Sequence, residues 1–154
     1  MPGYVIHLAV ANGYMKNNKI QNEKEFLKGA IAPDMLNTEY THYGMKIDKF
    51  DINKFKEDID FNSSYGKGYY LHLITDYIFY YKYFLNLTKA VHADYDILNE
   101  YLIKKYDIDI PAELIDIVKF NKGTPKFINL SLVCEFIDEV SKINLEQYFS
   151  KEVK

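Results

Sequence analysis

The sequence contains no arginine, no tryptophan and only one cysteine, and each scarcity narrows what the chain can do. All 19 basic residues are lysines, which excludes a bidentate arginine clamp on a phosphate group. Cys134 has no second cysteine with which to form a disulfide or a cysteine-based zinc site, and its apolar helical surroundings favour a core thiol. Any recognition of phosphate must therefore use lysine, backbone amides or a metal ion.

Long apolar runs are also lacking, since no segment reaches the roughly 20 residues that span a bilayer. The N-terminal residues do not read as a secretion signal, and we therefore predict a cytoplasmic protein without a transmembrane segment. The formal net charge is −3, with lysines and acidic residues scattered along the chain. This distribution predicts neither a groove for nucleic acid nor a footprint for anionic lipid.

Apolar residues recur with helical spacing almost throughout, whereas strand-like alternation is lacking. With 154 residues and 48% hydrophobic content, the chain is expected to form one domain, residues 1–154, of the all-α class. Pro33 is expected to end the second helix and Pro111 to open the fifth. The pattern predicts helices over residues 4–15, 23–30, 68–86, 89–105, 112–120 and 130–150.

The chain does contain a histidine and an aspartate four residues apart, His72 and Asp76, in an otherwise apolar segment. This spacing places both side chains on one face of a helix, which its apolar neighbours mark as central. A buried carboxylate needs compensation, either from the imidazole in a satisfied core pair or from a metal ion. His92 and Asp96 repeat the spacing on the next predicted helix, where the alternative is an exposed amphipathic face.

Three other residues are candidate metal ligands. Asp34 follows Pro33 and is alternatively a cap or turn residue. His42 lies in a predicted loop, where it is either a ligand or a surface histidine. His7 belongs to an apolar helix, where it is either a ligand or a core histidine bonded to the backbone. Imidazole and carboxylate ligands together suit zinc, and manganese and iron accept the same ligand types.

The order of these residues resembles the zinc-dependent phospholipase C family, whose wider relatives include nucleases. The resemblance covers roughly residues 1–96 and is carried by Met1-Pro-Gly-Tyr-Val-Ile-His7, Phe26-Leu-Lys-Gly-Ala-Ile-Ala-Pro-Asp34, His42 and Gly68-Tyr-Tyr-Leu-His72-Leu-Ile-Thr-Asp76. It implies a helical bundle with a metal site between its central helices. It also implies that one or two zinc ions hydrolyse phosphoester bonds of the phosphodiester or phospholipid type.

The resemblance further implies how the ligands are divided. The principal site would comprise Asp34, His42, His72 and Asp76. Asp76 would also bridge toward a neighbouring ion that His7 helps to bind. His92 and Asp96 would stand where the family has a later histidine–glutamate pair.

Hydrolysis would use a water molecule activated by the metal, which either Asp34 or Asp96 orients or deprotonates. The chain departs from the family pattern in lacking an N-terminal tryptophan ligand and a further histidine soon after Asp76. Asp96 also replaces the later glutamate. The missing histidine and the small size of the chain support a second hypothesis, a metal-stabilised helical protein that binds a partner without turnover. The sequence identifies neither a substrate nor an oligomeric state.

Overall fold

The computed structural model describes residues 2–36, 40–43, 51–85 and 87–147, which form an all-α bundle. Within these ranges there is no β-strand, and the predicted all-α class is confirmed. A π-helical segment, Phe79–Tyr83, extends the fourth helix, and a 3₁₀ turn covers Ala112–Leu114. The α-helices are α1 (Tyr4–Asn17), α2 (Glu23–Leu36), α3 (Ile52–Asp58), α4 (Ser64–Ile78), α5 (Val91–Lys105) and α6 (Leu130–Val140).

Helix α4 lies at the centre of the bundle. It begins where the Ser63 hydroxyl accepts a hydrogen bond from the Gly66 amide at 2.9 Å, which satisfies one of the free amides of the first turn. Every residue from Gly68 to Asp76 is buried, as the apolar composition of this segment predicts. Within the described ranges, no helix combines the length and the apolarity needed to cross a membrane.

Helices α2 and α4 pack with their backbones in direct contact. A Cβ atom on Gly29 would overlap the carbonyl oxygen of Tyr65, and one on Gly68 would overlap the carbonyl oxygen of Phe26. Because glycine has no Cβ, these two positions set the close separation of the helices. The end of α2 is thereby held against the face of α4 that carries His72.

The expected end of the second helix at Pro33 is wrong, because α2 continues through this residue to Leu36. An internal proline removes one helical hydrogen bond and crowds the carbonyl four residues earlier. That carbonyl belongs to Gly29, and the whole segment Gly29–Pro33 is buried. The tight packing of α2 on α4 therefore outweighs the local preference of proline.

The predicted helices over 112–120 and 130–150 are also shorter than expected. Only Ala112–Leu114 is helical in the first, because the chain beyond it bonds to α5 instead. The second is interrupted after Val140, where the Ser141 hydroxyl donates to the Asp138 carbonyl at 3.1 Å. Residues 145–147 are helical again, and residues 148–150 lie outside the described ranges.

Candidate metal centre

Five of the predicted ligands converge at one place in the bundle. His7 comes from α1, Asp34 from the last turn of α2, His42 from the turn at residues 40–43, and both His72 and Asp76 from α4. The side chains of His7, His72 and Asp76 are almost fully buried. Asp34 and His42 keep 28% and 18% of their side-chain surface exposed, so the cluster reaches solvent on one side.

Two imidazole nitrogens in the cluster each lie close to one oxygen of both carboxylates. Nε2 of His42 lies 2.9 Å from Oδ1 of Asp34 and 3.5 Å from Oδ2 of Asp76. Nε2 of His72 lies 3.3 Å from Oδ2 of Asp76 and 3.6 Å from Oδ1 of Asp34. Ligand atoms about 2.0–2.1 Å from a tetrahedral zinc ion are separated by about 3.3 Å, which these nitrogen–oxygen distances approach. Among the described residues, the donor atoms fall into two overlapping groups of three that lie within 4.8 Å of one another: His7, His72 and Asp76, and Asp34, His42 and His72.

His7 approaches the other oxygen of each carboxylate. Its Nε2 lies 3.0 Å from Oδ1 of Asp76 and 3.9 Å from Oδ2 of Asp34. The ring of His7 is also stacked on the ring of His72. In each carboxylate, one oxygen therefore faces Nε2 of His7, and the other faces the Nε2 atoms of His42 and His72.

The contacts of Asp76 with His7 and His72 are not ordinary hydrogen bonds, whereas Nε2 of His42 and Oδ1 of Asp34 form one at 2.9 Å. Among the described residues, Nε2 of His7, Nε2 of His72 and Oδ1 of Asp76 are buried without a hydrogen-bond partner. His7 and Asp76 approach to 3.0 Å, yet the pair lacks the alignment of a hydrogen bond. Buried polar atoms normally have partners. Donor atoms that come together without pairing fit a shared cation as their common partner.

The protein orients these side chains through groups that sequence reasoning missed. Nδ1 of His72 donates to the carbonyl oxygen of Ala30 at 2.6 Å, which leaves Nε2 as the available ligand atom. Nδ1 of His42 lies 3.3 Å from the Thr41 hydroxyl. The Tyr69 hydroxyl donates to the Thr41 carbonyl at 2.7 Å and so ties this turn to α4. A backbone carbonyl has no signature in the sequence, whereas the buried Tyr69 is one aromatic residue among many.

The electrostatics of the cluster favour a cation. Burial would raise the pKa of Asp76, but the charges of His72 and His7 outweigh it and hold that pKa well below its usual range. Burial would likewise raise the pKa of Asp34, but His72 and a hydrogen bond from His42 lower it. Both carboxylates are therefore ionised at neutral pH, in a place where unpaired charge is costly.

The two buried histidines respond differently to this environment. Burial would lower the pKa of His72, but Asp76 and Asp34 together raise it to about 10. Burial and the charge of His72 lower the pKa of His7. At neutral pH without metal, a proton on His72 therefore partly balances the two carboxylates, and a divalent cation would replace it.

His92 and Asp96 are not brought into this cluster. His92 is exposed and Asp96 is half-buried, and both line a cleft of about 290 Å³ together with Tyr4 and Tyr95. Within the described ranges, neither belongs to a group of three potential ligands whose donor atoms lie within 4.8 Å of one another. Their roles as ligands, and that of Asp96 as a base, stay predictions.

The geometry thus provides two overlapping groups of three potential ligands, which share His72 and whose imidazole and carboxylate groups suit a divalent transition metal. Solvent reaches this set at Asp34 and His42. No protein-family model, curated protein or solved structure matches the chain.

Proposed function

We propose that this protein is a zinc-dependent hydrolase of phosphoester bonds, similar to the zinc-dependent phospholipase C family. The observation that carries the proposal is that Nε2 of His42 and Nε2 of His72 each lie 2.9–3.6 Å from one oxygen of Asp34 and one oxygen of Asp76. Zinc is favoured over manganese and iron because mixed imidazole and carboxylate ligands suit it best.

The uneven burial of the cluster supports catalysis over a purely structural role. A structural zinc site is closed by its protein ligands, whereas a catalytic site keeps a position open to water or substrate. Here the His72 side chain has 0% exposure, while Asp34 has 28%. An anionic substrate therefore has access on the Asp34 side, and this carboxylate is the one that can leave the metal and accept a proton.

The stacked histidines support a second ion. Nε2 of His72 can bind only one metal, so His7 would help to hold another, with Asp76 and Asp34 as the carboxylates near it. The parallel rings are separated by 3.6 Å. With fewer ligands, the His7 position is expected to bind its ion more weakly.

The positions of these side chains suggest the role of each in hydrolysis. Bound zinc supplies Lewis acidity, which lowers the pKa of water toward neutrality and stabilises the charge that develops on the phosphoester. Asp34 orients this water and takes its proton. The Ala30 carbonyl fixes the ring of His72, and Asp76 holds the two imidazole groups together. With no arginine in the chain, the metal provides the charge neutralisation that guanidinium groups supply elsewhere.

The decisive experiment measures metal content and hydrolysis together. Protein purified without chelator is analysed for zinc, manganese and iron, and is assayed on bis(p-nitrophenyl) phosphate, phosphatidylcholine and single-stranded DNA. We expect one to two zinc ions per chain and hydrolysis of at least one substrate. His72→Ala should lose the metal and at least about 100-fold in activity while remaining helical by circular dichroism.

His92→Ala is the matched control, because this histidine has the same spacing to an aspartate but lies outside the cluster. It should retain zinc. A protein with stoichiometric zinc that hydrolyses none of the substrates would instead support the metal-stabilised partner-binding protein. A protein without any of the three metals would exclude both functions.

A further inference from the structure

A loop over residues 115–127 presents an unusual surface, which we call the apolar–basic loop. Four large apolar side chains are exposed there, each between 46% and 63%: Ile115, Ile117, Phe120 and Phe127. Three lysines interleave with them and are also exposed: Lys119, Lys122 and Lys126. Single exposed apolar residues are common, but several together mark an interaction surface.

The loop is held firmly against α5. The Asp94 carboxylate, on a residue only 2% exposed, accepts hydrogen bonds from the amides of Lys126, Phe127 and Ile128 at 2.6–3.0 Å. The Asn99 side chain donates to the Lys119 carbonyl at 2.9 Å. The structure therefore fixes this backbone in place with its apolar side chains in water.

The same anchors hold the backbone around Phe120 and around Phe127 against one stretch of α5. The amide of Asn121 donates to the carbonyl of Asp96 at 3.0 Å, next to Phe120 in sequence. All the anchoring residues lie between Asp94 and Asn99, a stretch of about 7.5 Å along the helix. Phe120 and Phe127 thus emerge from backbone held within one and a half turns of α5.

We propose that the apolar–basic loop docks this protein on the surface of a membrane containing anionic lipid. The loop carries three lysines and one acidic residue, Asp116, for a net charge of +2 on a chain whose net charge is −3. Exposed aromatic and aliphatic side chains with interspersed lysines are typical of segments that enter the lipid headgroup region. The lysines are scattered along the sequence, so charge distribution alone does not predict this surface.

A second copy of the chain is a poorer occupant of the loop. The four apolar side chains, each about half exposed, offer roughly 400 Å² of surface, whereas a standard interface buries about 800 Å² on each partner. A symmetric dimer would also bring the lysines of both copies together. Both arguments favour a lipid surface, which has no minimum area and carries the opposite charge.

The test is co-sedimentation of the full chain with vesicles of phosphatidylcholine, alone or mixed equally with phosphatidylglycerol. We expect binding to the mixed vesicles that is at least about tenfold tighter than to phosphatidylcholine alone and is weakened by salt. F120S/F127S should abolish the binding. K122Q/K126Q should weaken it by about 25-fold, at about fivefold for each lysine near an anionic surface.

The matched control is Y81S/L85S, which removes two other large exposed side chains, 45% and 63% exposed. It should bind vesicles as the wild type does, and all variants should keep the wild-type circular dichroism. Wild-type binding by F120S/F127S, or no binding by the wild type, overturns the proposal. Dimerisation that F120S/F127S removes, without vesicle binding, also overturns it and identifies a self-association surface. His72→Ala should still bind vesicles, so a failure of the hydrolase proposal can be distinguished from a failure of the membrane-docking proposal.

Discussion

The imidazole rings of His7 and His72 lie face to face, with centroids 3.6 Å apart and planes inclined by 7°. Their Nε2 atoms approach different oxygens of Asp76, at 3.0 Å and 3.3 Å. Helices α1 and α4 are thus joined through polar side chains in the middle of an apolar core. Such an arrangement is costly unless a ligand binds it, and this dependence makes several consequences measurable.

Removal of metal should lower the thermal stability of the protein. A ligand present at about 1,000 times its dissociation constant stabilises the folded state by about 4 kcal/mol. For a chain of this size we therefore expect the melting temperature to fall by roughly 10 °C in the presence of a chelator. Differential scanning calorimetry measures the change. In His72→Ala the chelator should have no effect, and an equal response in both proteins would contradict metal binding at this centre.

The metal-free protein should lose stability as the pH rises above neutrality. The pKa of His72 is raised from 6.5 to about 10, so its protonated form stabilises the fold. This contribution is complete below pH 6.5 and is lost as the pH rises through about 10. Over this pH range, the unfolding free energy measured with urea should decrease by a few kcal/mol more in the wild type than in His72→Gln. Parallel curves for the two proteins would refute the assigned charge.

Gly68→Ala should disrupt the contact between α2 and α4. The new Cβ atom would overlap the carbonyl oxygen of Phe26, and a backbone atom cannot move aside as a flexible side chain can. We expect a loss of about 2–4 kcal/mol in unfolding free energy, with weaker zinc binding because Asp34 moves away from His72. Gly3→Ala is the control, since its Cβ would lie 3.4 Å from the Tyr95 side chain. Equal unfolding curves for both variants would exclude this role of Gly68.

Asp94→Ala should release the segment at residues 126–128. Three amides would lose their common acceptor, and we expect a cost of about 3–5 kcal/mol. Asp94→Asn, which keeps one acceptor oxygen, should cost less. Hydrogen exchange at the three amides reads out the release directly. Unchanged protection in Asp94→Ala would show that the carboxylate does not hold the loop.

Tyr95→Phe should leave stability unchanged or improve it. Among the described residues, the Tyr95 hydroxyl is buried without a hydrogen-bond partner, so its removal relieves a desolvated polar group. Tyr69→Phe is the matched comparison, because the Tyr69 hydroxyl is buried but bonded to the Thr41 carbonyl. Tyr69→Phe should lose about 1 kcal/mol of unfolding free energy, measured by chemical denaturation. A larger loss of unfolding free energy in Tyr95→Phe than in Tyr69→Phe would contradict the assignment of the Tyr95 hydroxyl as unpaired.

Helical periodicity was sufficient to predict the fold class, and α1 and α5 begin within two residues of the expected positions. The errors lie where contacts distant in sequence decide the structure. Pro33 stays within a helix because α2 packs tightly on α4, and the region after Leu114 is irregular because it bonds to α5. Neither effect is visible in the local sequence.

In the candidate site, too, the local sequence predicts some features, while contacts distant in sequence decide the others. Spacing alone predicted that His72 and Asp76 share a face, and the structure brings them together with the three ligands that the resemblance added. His92 and Asp96 have the same spacing but line a different cleft. The spacing reports a shared helical face but not the environment of that face. Only the packing of α1, α2 and α4 distinguishes the two pairs.

The distribution of the five ligands over separate segments also bears on the unfolded chain. Between His7 and Asp76 lies nearly half of the sequence, and an ion bound by both would act as a cross-link across that length. Closing so long a loop removes conformational entropy from the unfolded ensemble, as a disulfide does. With Cys134 as the only thiol, this chain has no disulfide available for that purpose, and the metal centre would be its single covalent-like constraint.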